Sequence, residues 1–508
     1  MKIKLTPQPD ELNERKTVPA PGTEYCTGVI DGWHRRWQVF VPSSYDGSKA
    51  VPMVISLHGG AHPIFASAVD TTVWTHLAER DGFIVLFPNS LYENKNVHGI
   101  AWNVWRDHDE DGSLPDDVHY IDTLIDMMIE KYNIDTTRIY MQGQSNGDQM
   151  TCTYIFEHGN RIAAAATLSG PAGGERFVNA DGTLYREPKY SLPVIRRSGS
   201  EDCHPPLGKA PRSIYIKPEP PKGKRVVTEE QRELKWRVHQ EFNILMWKHA
   251  NKTEDLPRLN LAGNYGWATY DQKDGNEFIF YCIEKGEHGP RPEMAEQIWS
   301  YFLSRFSKVD GKTVVGPARK TVESDVNAAA LADGSKLAYV NNSLVEISAG
   351  VFTKDGIWYA AAADTDRLFP GASAELEEDG KACTIRISGK EARFAAGTRC
   401  MVVDDEVMSC ERIEYKDGVL YLPLSDIAAL CGKKLSAAWD AAYINERGGA
   451  VSYNFAAIIK ELLGTKEKGT FLTSRNLEIE KQPKEGRPDD DILYDEIFAD
   501  YKKEYGLA

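Results

Sequence analysis

The chain has 508 residues, 42% of them hydrophobic and 10% aromatic, and a formal net charge of -15. At roughly 150 residues per domain that length gives about two to four domains, each able to bury a core. The acidic balance, with no basic stripe to neutralise phosphates, argues against nucleic acid and anionic membranes as partners, and no stretch approaches the roughly 20 apolar residues that span a bilayer.

Residues 1–25 read as an N-terminal extension. They carry positive charge but no apolar segment of a secretory signal, so a cytoplasmic location is expected, or an exported one if a signal has been removed. From 26 to 310 short apolar runs alternate with helical patterns. "RRWQVFVP" at 35 and "VPMVISL" at 51 read as strands, "DTTVWTHLAERDG" at 70 as a helix, and "FIVLFPN" at 83 as a strand. A helix comes next in "VHYIDTLIDMMIEKYN" at 118, with apolar residues three and four apart. Then come the strand "RIYMQ" at 138, a helix through "CTYIFEHG", strands at "RIAAAATLSG", "LPVIRRSG" and "EFIFYCIEKG", and a helix "EMAEQIWSYFLSRFS" at 293. This rhythm predicts an α/β class with a mostly parallel sheet covered on both faces. Residues 204–275 interrupt it with a Pro- and Lys-rich loop and a long helical pattern from 228 to 251, read either as a lid or substrate wall or as a packed helix.

Beyond 310 the texture changes to short strands and Gly/Asp turns, read as an accessory module over 311–470 and a helical tail over 471–508. "KDGIWYAAAADTDRLF" at 354 and "KDGVLYLPLSDIAALC" at 416 match at Lys, Asp, Gly, Tyr, Asp and Leu with a constant offset, which marks a duplicated strand-turn-strand-helix unit. All twelve histidines fall between His34 and His288, so imidazole chemistry belongs to the first part. Eight cysteines show no CxxC pair or zinc spacing; most read as buried thiols, and spacing alone pairs none of them.

Gly143-Gln144-Ser145-Asn146-Gly147 matches G-x-S-x-G, in which a serine sits on a sharp turn from strand to helix with its oxygen exposed. A serine hydroxyl needs a base to take its proton and a carboxylate to orient that base. His288, in a glycine-flanked turn after the last apolar strand, is the candidate base. Asp202, just beyond the strand "LPVIRRSG", is the candidate acid, with Glu201 in reserve. The backbone amides of Asn146 and Gly60 are the candidate oxyanion donors, Ala61 replacing Gly60 if the loop is shifted by one. His58 and His62 lie in that glycine loop without an acid-base role. Trp102 and Trp105 are placed at the substrate, stacking on a sugar or aromatic acyl group, or else in the core. Asp107, Asp109, Asp111 and Gly112 reproduce the start of a calcium loop, but Pro115 and Val118 fall at its ninth and twelfth positions, so a solvated acidic loop is the default and no metal is expected.

"VISLHGG", the run from Asp116 to Met150, "PVIRRSGSEDCHPP" and "GEHGPRPEMAEQIW" together resemble the polyhydroxybutyrate depolymerase and feruloyl esterase group of α/β-hydrolases over about 26–306. The resemblance implies an α/β-hydrolase fold and a serine carboxylic-ester hydrolase without cofactor, acting on acetyl, hydroxycinnamoyl or hydroxyalkanoate esters, free or linked to polysaccharide. Three positions depart from that group: Asp148 stands where a small residue is usual, Ser198 where a histidine often precedes the glycine of the acid loop, and Gly60 where cysteine is frequent. Asp148 would make anionic acyl groups less welcome if its side chain faced the pocket. "LYLPLSDIAALCGKKLSAAWD" at 420 resembles the copper amine oxidase N-terminal-like domain, over about 340–445. With no histidine there, no copper site is inferred; the module is read as accessory or structural, with a homo-oligomer through it left open. A peptidase of the same fold and a non-catalytic carbohydrate- or partner-binding protein are the competing readings.

Overall fold

The computed structural model describes residues 5–7, 22–59, 68–90, 92–94, 99–104, 116–169, 188–202, 229, 232–233, 236–288, 292–321 and 324–466. The acidic loop at 107–112, the Pro-rich segment at 205–225 and the tail at 471–508 lie outside them.

The centre is a ten-stranded sheet. Its strands are β1 (Thr23–Ile30), β2 (Trp33–Phe40), β3 (Val51–Leu57), β4 (Ile84–Pro88), β5 (Ile134–Gln144), β6 (Ala164–Leu168), β7 (Val194–Gly199), β8 (Arg258–Ala262), β9 (Tyr265–Tyr270) and β10 (Phe278–Ile283). They lie in the order β8-β9-β10-β7-β6-β5-β3-β4-β2-β1. The six strands from β10 to β4 are parallel, and β1, β2, β8 and β9 are antiparallel to their neighbours. This is the mostly parallel sheet that the alternation of strands and helices predicts, in the α/β-hydrolase arrangement that the resemblance implies.

Alternate residues of each central strand feed opposite cores, as the two-residue period of a strand requires. Met53, Ile55 and Leu57 pack on one side with helices α2 (Asp117–Lys131), α3 (Asn146–His158) and α4 (Phe242–Asn251). Val54, Val85, Phe87 and Tyr140 pack on the other with Trp74 of α1 (Ala68–Asp81) and Trp299 of α5 (Pro292–Tyr301). Within the insertion, Trp236 and Trp247 are fully buried, so the helical part is a packed element rather than a lid. The insertion also supplies β8 and β9, which the sequence pattern does not reveal. Gly263, at φ 56°, begins the two-residue turn between them.

Past a small hairpin at 306–315, the described residues that follow form three antiparallel sheets. One has the order β15-β14-β13-β26-β25, built from β13 (Ala329–Ala332), β14 (Leu337–Val340), β15 (Ser343–Glu346), β25 (Lys434–Ala438) and β26 (Ala441–Asn445). The repeated segments form the second: β16 (Phe352–Lys354) with β17 (Ile357–Ala361), and β23 (Glu414–Lys416) with β24 (Val419–Pro423), in the order β16-β17-β24-β23. The Asp-Gly pairs at 355–356 and 417–418 hold positive φ in both turns, as tight hairpins demand. Tyr359 pairs with Pro423, Ala360 with Leu422 and Ala361 with Tyr421. Since 422 − 360 = 62, the repeat offset, Ala360 faces its own counterpart on a local two-fold axis. The third sheet is a five-stranded meander over 373–409, and α8 (Tyr453–Leu462) closes the described chain.

This part is fused to the edge of the central sheet. Strand β8 would otherwise present unpaired backbone groups, a hazard that folds must cover. Leu259 N–H donates to Asn342 Oδ1 (3.0 Å) and Leu261 N–H to Asp325 Oδ2 (2.8 Å). Their carbonyls accept from Tyr443 OH (2.8 Å) and Asn445 Nδ2 (2.7 Å). Side chains thus stand in for an eleventh strand. Beneath them Leu259, Leu261 and Tyr270 share one core with Ala330, Tyr339, Tyr443 and Phe455. No described helix is long and apolar enough to cross a membrane. The seven described cysteines are free thiols; Cys203 lies outside the described residues.

Candidate active site

Ser145 stands between β5 and α3 at φ 57°, ψ -118°. A non-glycine residue there costs about 1–3 kcal/mol and persists only where its surroundings enforce it. The glycines on either side enforce it by crowding. A Cβ on Gly143 would lie 2.1 Å from the Gly147 carbonyl oxygen, and one on Gly147 would lie 2.3 Å from Leu57 O and 2.5 Å from His58 O. The glycines are therefore needed for close approach, while the left-handed backbone belongs to the serine itself. Ser145 N–H donates to Leu168 O at 2.8 Å, tying the turn to β6.

Because β3, β5, β7 and β10 are parallel, the segments leaving their C-terminal ends emerge along one edge of the sheet. Ser145 leaves β5 there, Asp202 lies just past β7 and His288 just past β10. Asp202 is 1% exposed, and its Oδ1 lies 3.0 Å from Nδ1 of His288. A carboxylate at Nδ1 favours the tautomer protonated there, which leaves Nε2 as the basic nitrogen. Glu201 points elsewhere, into an ion pair with Arg232 at 2.7 Å.

The two loops interlock. A Cβ on Gly199 would meet Gly286 O at 2.1 Å; Ser200 N–H donates to Ile283 O and Glu201 N–H to Gly286 O, both at 2.9 Å. Lys285 N–H donates to Ser200 Oγ at 2.7 Å.

Asn146 opens α3, where a backbone N–H has no acceptor within the helix. Its side-chain Oδ1 accepts from Trp102 N–H at 2.7 Å. On the opposite side the β3 exit passes close by: a Cβ on Gly59 would lie 3.3 Å from Ser145 Cβ. Gly60, Ala61, His62 and Trp105 lie outside the described residues. His58 is buried, accepting at Nε2 from Ser90 N–H (3.0 Å) and facing Gly59 O with Nδ1 (2.7 Å), a structural histidine that shapes the loop. Trp102 is 2% exposed, its indole donating to His58 O at 2.8 Å, so it packs behind the elbow and offers no face to a substrate.

Asp148 does not face the pocket. Fully buried in the first turn of α3, it forms an ion pair with Arg196 of β7, itself fully buried. Its charge is thus neutralised within the core. Sequence reasoning missed Arg196, yet a signal was present: an arginine inside a central parallel strand, here buried along its whole length, must be paired. Arg232 was missed too, because its partners Ser200 and Glu201 lie far away in sequence.

Residues 37–195 match the family model described as esterase PHB depolymerase. The match includes Ser145 and ends before Asp202 and His288. The chain is similar to a bifunctional acetylxylan esterase/xylanase of Neocallimastix patriciarum, at 33% identity over 28% of this chain and 18% of that protein. It is also similar to acetylxylan esterase A of Emericella nidulans, at 29% identity over 27% of this chain and 42% of that one. The matched stretch spans less than half of either relative. Among solved structures, an acetyl xylan esterase from Aspergillus awamori overlaps 55% of this chain and 98% of its own, with 16% identity and a TM-score of 0.37. The order of the strands in the central sheet by itself defines the fold.

Proposed function

We propose that this chain is a serine carboxylic-ester hydrolase with Ser145 as nucleophile, His288 as general base and acid, and Asp202 as the carboxylate that orients it. The observation that carries the reading is the 3.0 Å His288–Asp202 contact on the sheet edge from which the strained Ser145 elbow also emerges. In the proposed reaction Ser145 Oγ attacks the ester carbonyl carbon as His288 Nε2 takes its proton. The Asn146 amide and a Gly60 or Ala61 amide hold the oxyanion. The intermediate then expels the alcohol, which leaves with the proton from His288, and an acyl-serine remains. Water, deprotonated by His288, adds to the acyl carbon; collapse releases the acid and returns the proton to Ser145. The residues themselves supply every proton transfer, so the reaction needs no cofactor.

Acetyl esters, including acetylated polysaccharide, are the first substrates to test, because the named relatives are acetylxylan esterases. Hydroxycinnamoyl and hydroxyalkanoate esters come next. Within the segment from about 311 to 470, residues from about 340 to 445 are proposed as a module resembling the copper amine oxidase N-terminal-like domain, with an accessory or structural role. A fluorophosphonate probe should label the wild-type chain on Ser145. Ser145→Ala should abolish labelling, and with His288→Ala should lower turnover of p-nitrophenyl acetate by at least about 10⁴-fold. A wild-type protein that neither labels nor turns over would sink the proposal. A panel of methyl ferulate, acetylated xylan and polyhydroxybutyrate then ranks the acyl groups.

A further inference from the structure

The C-terminal part reaches the candidate acid loop through a short chain of contacts. Trp439 and Asp440 form the two-residue turn between β25 and β26, with φ 58° and 59°. Asn-Gly suits such a turn; a tryptophan there is a strained choice that its contacts must offset. The Trp439 ring has Arg232 stacked over it, the guanidinium carbon 5.0 Å from the ring centroid. That guanidinium donates to Ser200 O (3.2 Å) and to Glu201 Oε1 (2.7 Å), the two residues leading into Asp202.

The neighbouring residues are fixed from the same side. Glu233 bonds the Tyr453 hydroxyl and pairs with Lys466 at 2.5 Å, and Tyr453 meets Trp439 edge-on at 5.4 Å. Trp236 Nε1 donates to Glu461 Oε1 at 2.7 Å. Behind the loop, Asn454 Nδ2 donates to Ser198 Oγ at 3.2 Å, one residue before Gly199.

We infer that Trp439 and Arg232 are positioning residues: the C-terminal part holds the 200–202 loop in register so that Asp202 meets His288. This rests on the proposed triad. The module then acts on the rate of the chemical step, not on substrate capture. Neither residue touches the reacting atoms; each acts through the backbone of the acid loop.

The test uses the full chain with Trp439→Gly, which keeps the turn and removes the ring, Arg232→Met, which keeps the stem and leaves the module untouched, their double mutant, and Trp439→Phe. With p-nitrophenyl acetate, each of the first two should lower kcat by about 10- to 100-fold at nearly constant KM, since small misplacements of catalytic groups cost that much. The acid limb of the kcat/KM profile should move to lower pH as the imidazolium loses its oriented carboxylate. The double mutant should be no worse than the worse single, because both break one linkage. Trp439→Phe should restore most of kcat. If Trp439→Gly does not fold, Arg232→Met and Trp439→Phe carry the same comparison. Variants with unchanged kcat, or effects that multiply in the double mutant, would overturn the inference. Fluorophosphonate labelling separates the two proposals. A wild type unlabelled at Ser145 defeats the triad, whereas a labelled wild type with variants labelled equally fast defeats the positioning role alone.

Discussion

Asp148 and Arg196 show how a single residue can change meaning between sequence and fold. Placed beside the elbow, Asp148 reads as a specificity determinant; buried and paired, it is a strut between α3 and β7. Asp148→Ala should cost about 3–5 kcal/mol in urea unfolding, because it takes the Asp148 carboxylate away from the buried Arg196 guanidinium, while Asp148→Leu with Arg196→Met should recover most of that loss. A single substitution as costly as the double one would show that the pair is not the strut. Lys308 gives the pH-dependent case. Its ammonium donates to Gly159 O (2.8 Å) and Ser191 O (3.2 Å), and burial pulls its pKa from 10.5 down to about 8. Between those values the unfolded chain holds a proton that the fold has released, so the residue's contribution to stability rises with pH across that window and is a constant cost below it. Relative to Lys308→Met, the wild type should gain about 2–3 kcal/mol between pH 8 and 10.5, read from paired urea titrations. A gap independent of pH would refute this.

Among the elements, local signals were legible and long-range ones were not. The elbow could be read because Gly143, Ser145 and Gly147 are neighbours and a strand and a helix flank them. Trp102 was ambiguous for lack of any local signal separating a stacking ring from a buried one; only its bond to His58 O decides. Strands β8 and β9 were overlooked although their Gly-Asn turn is a hairpin signal. Five- and six-residue runs inside a long insertion carry little periodicity, and their fold is fixed from the far side of β8. There Asp325 accepts from Leu261 N–H and Asn445 Nδ2 (3.1 Å) and pairs with Arg447 at 2.5 Å. Asp325→Ala should therefore cost about 2–4 kcal/mol, since it strips a charged acceptor from the Leu261 backbone donor and from the Arg447 guanidinium. A thermal-unfolding midpoint within a degree of wild type would contradict that cap.

At the scale of the whole molecule, composition and texture separated an α/β part from a C-terminal part read as accessory or structural. The shared core and the substituted edge favour the structural reading, with the C-terminal part as a wall of the central sheet. A chain ending at 323 would expose Leu259, Leu261, Tyr270 and the rim of β8, and should be recovered as aggregate or as oligomers on size-exclusion chromatography. A monomeric, active truncation would show that the hydrolase part stands alone. The repeat carries a different lesson. Where Ala360 meets Leu422, one copy of the hairpin lies against the other as two subunits of a symmetric dimer would, through an isologous contact that needs only one self-complementary edge. Covalent joining of such a pair frees each copy to diverge without its twin changing in step. That is how one half can keep "ADTDRLF" and the other "SDIAALC" while the seam between them stays two-fold.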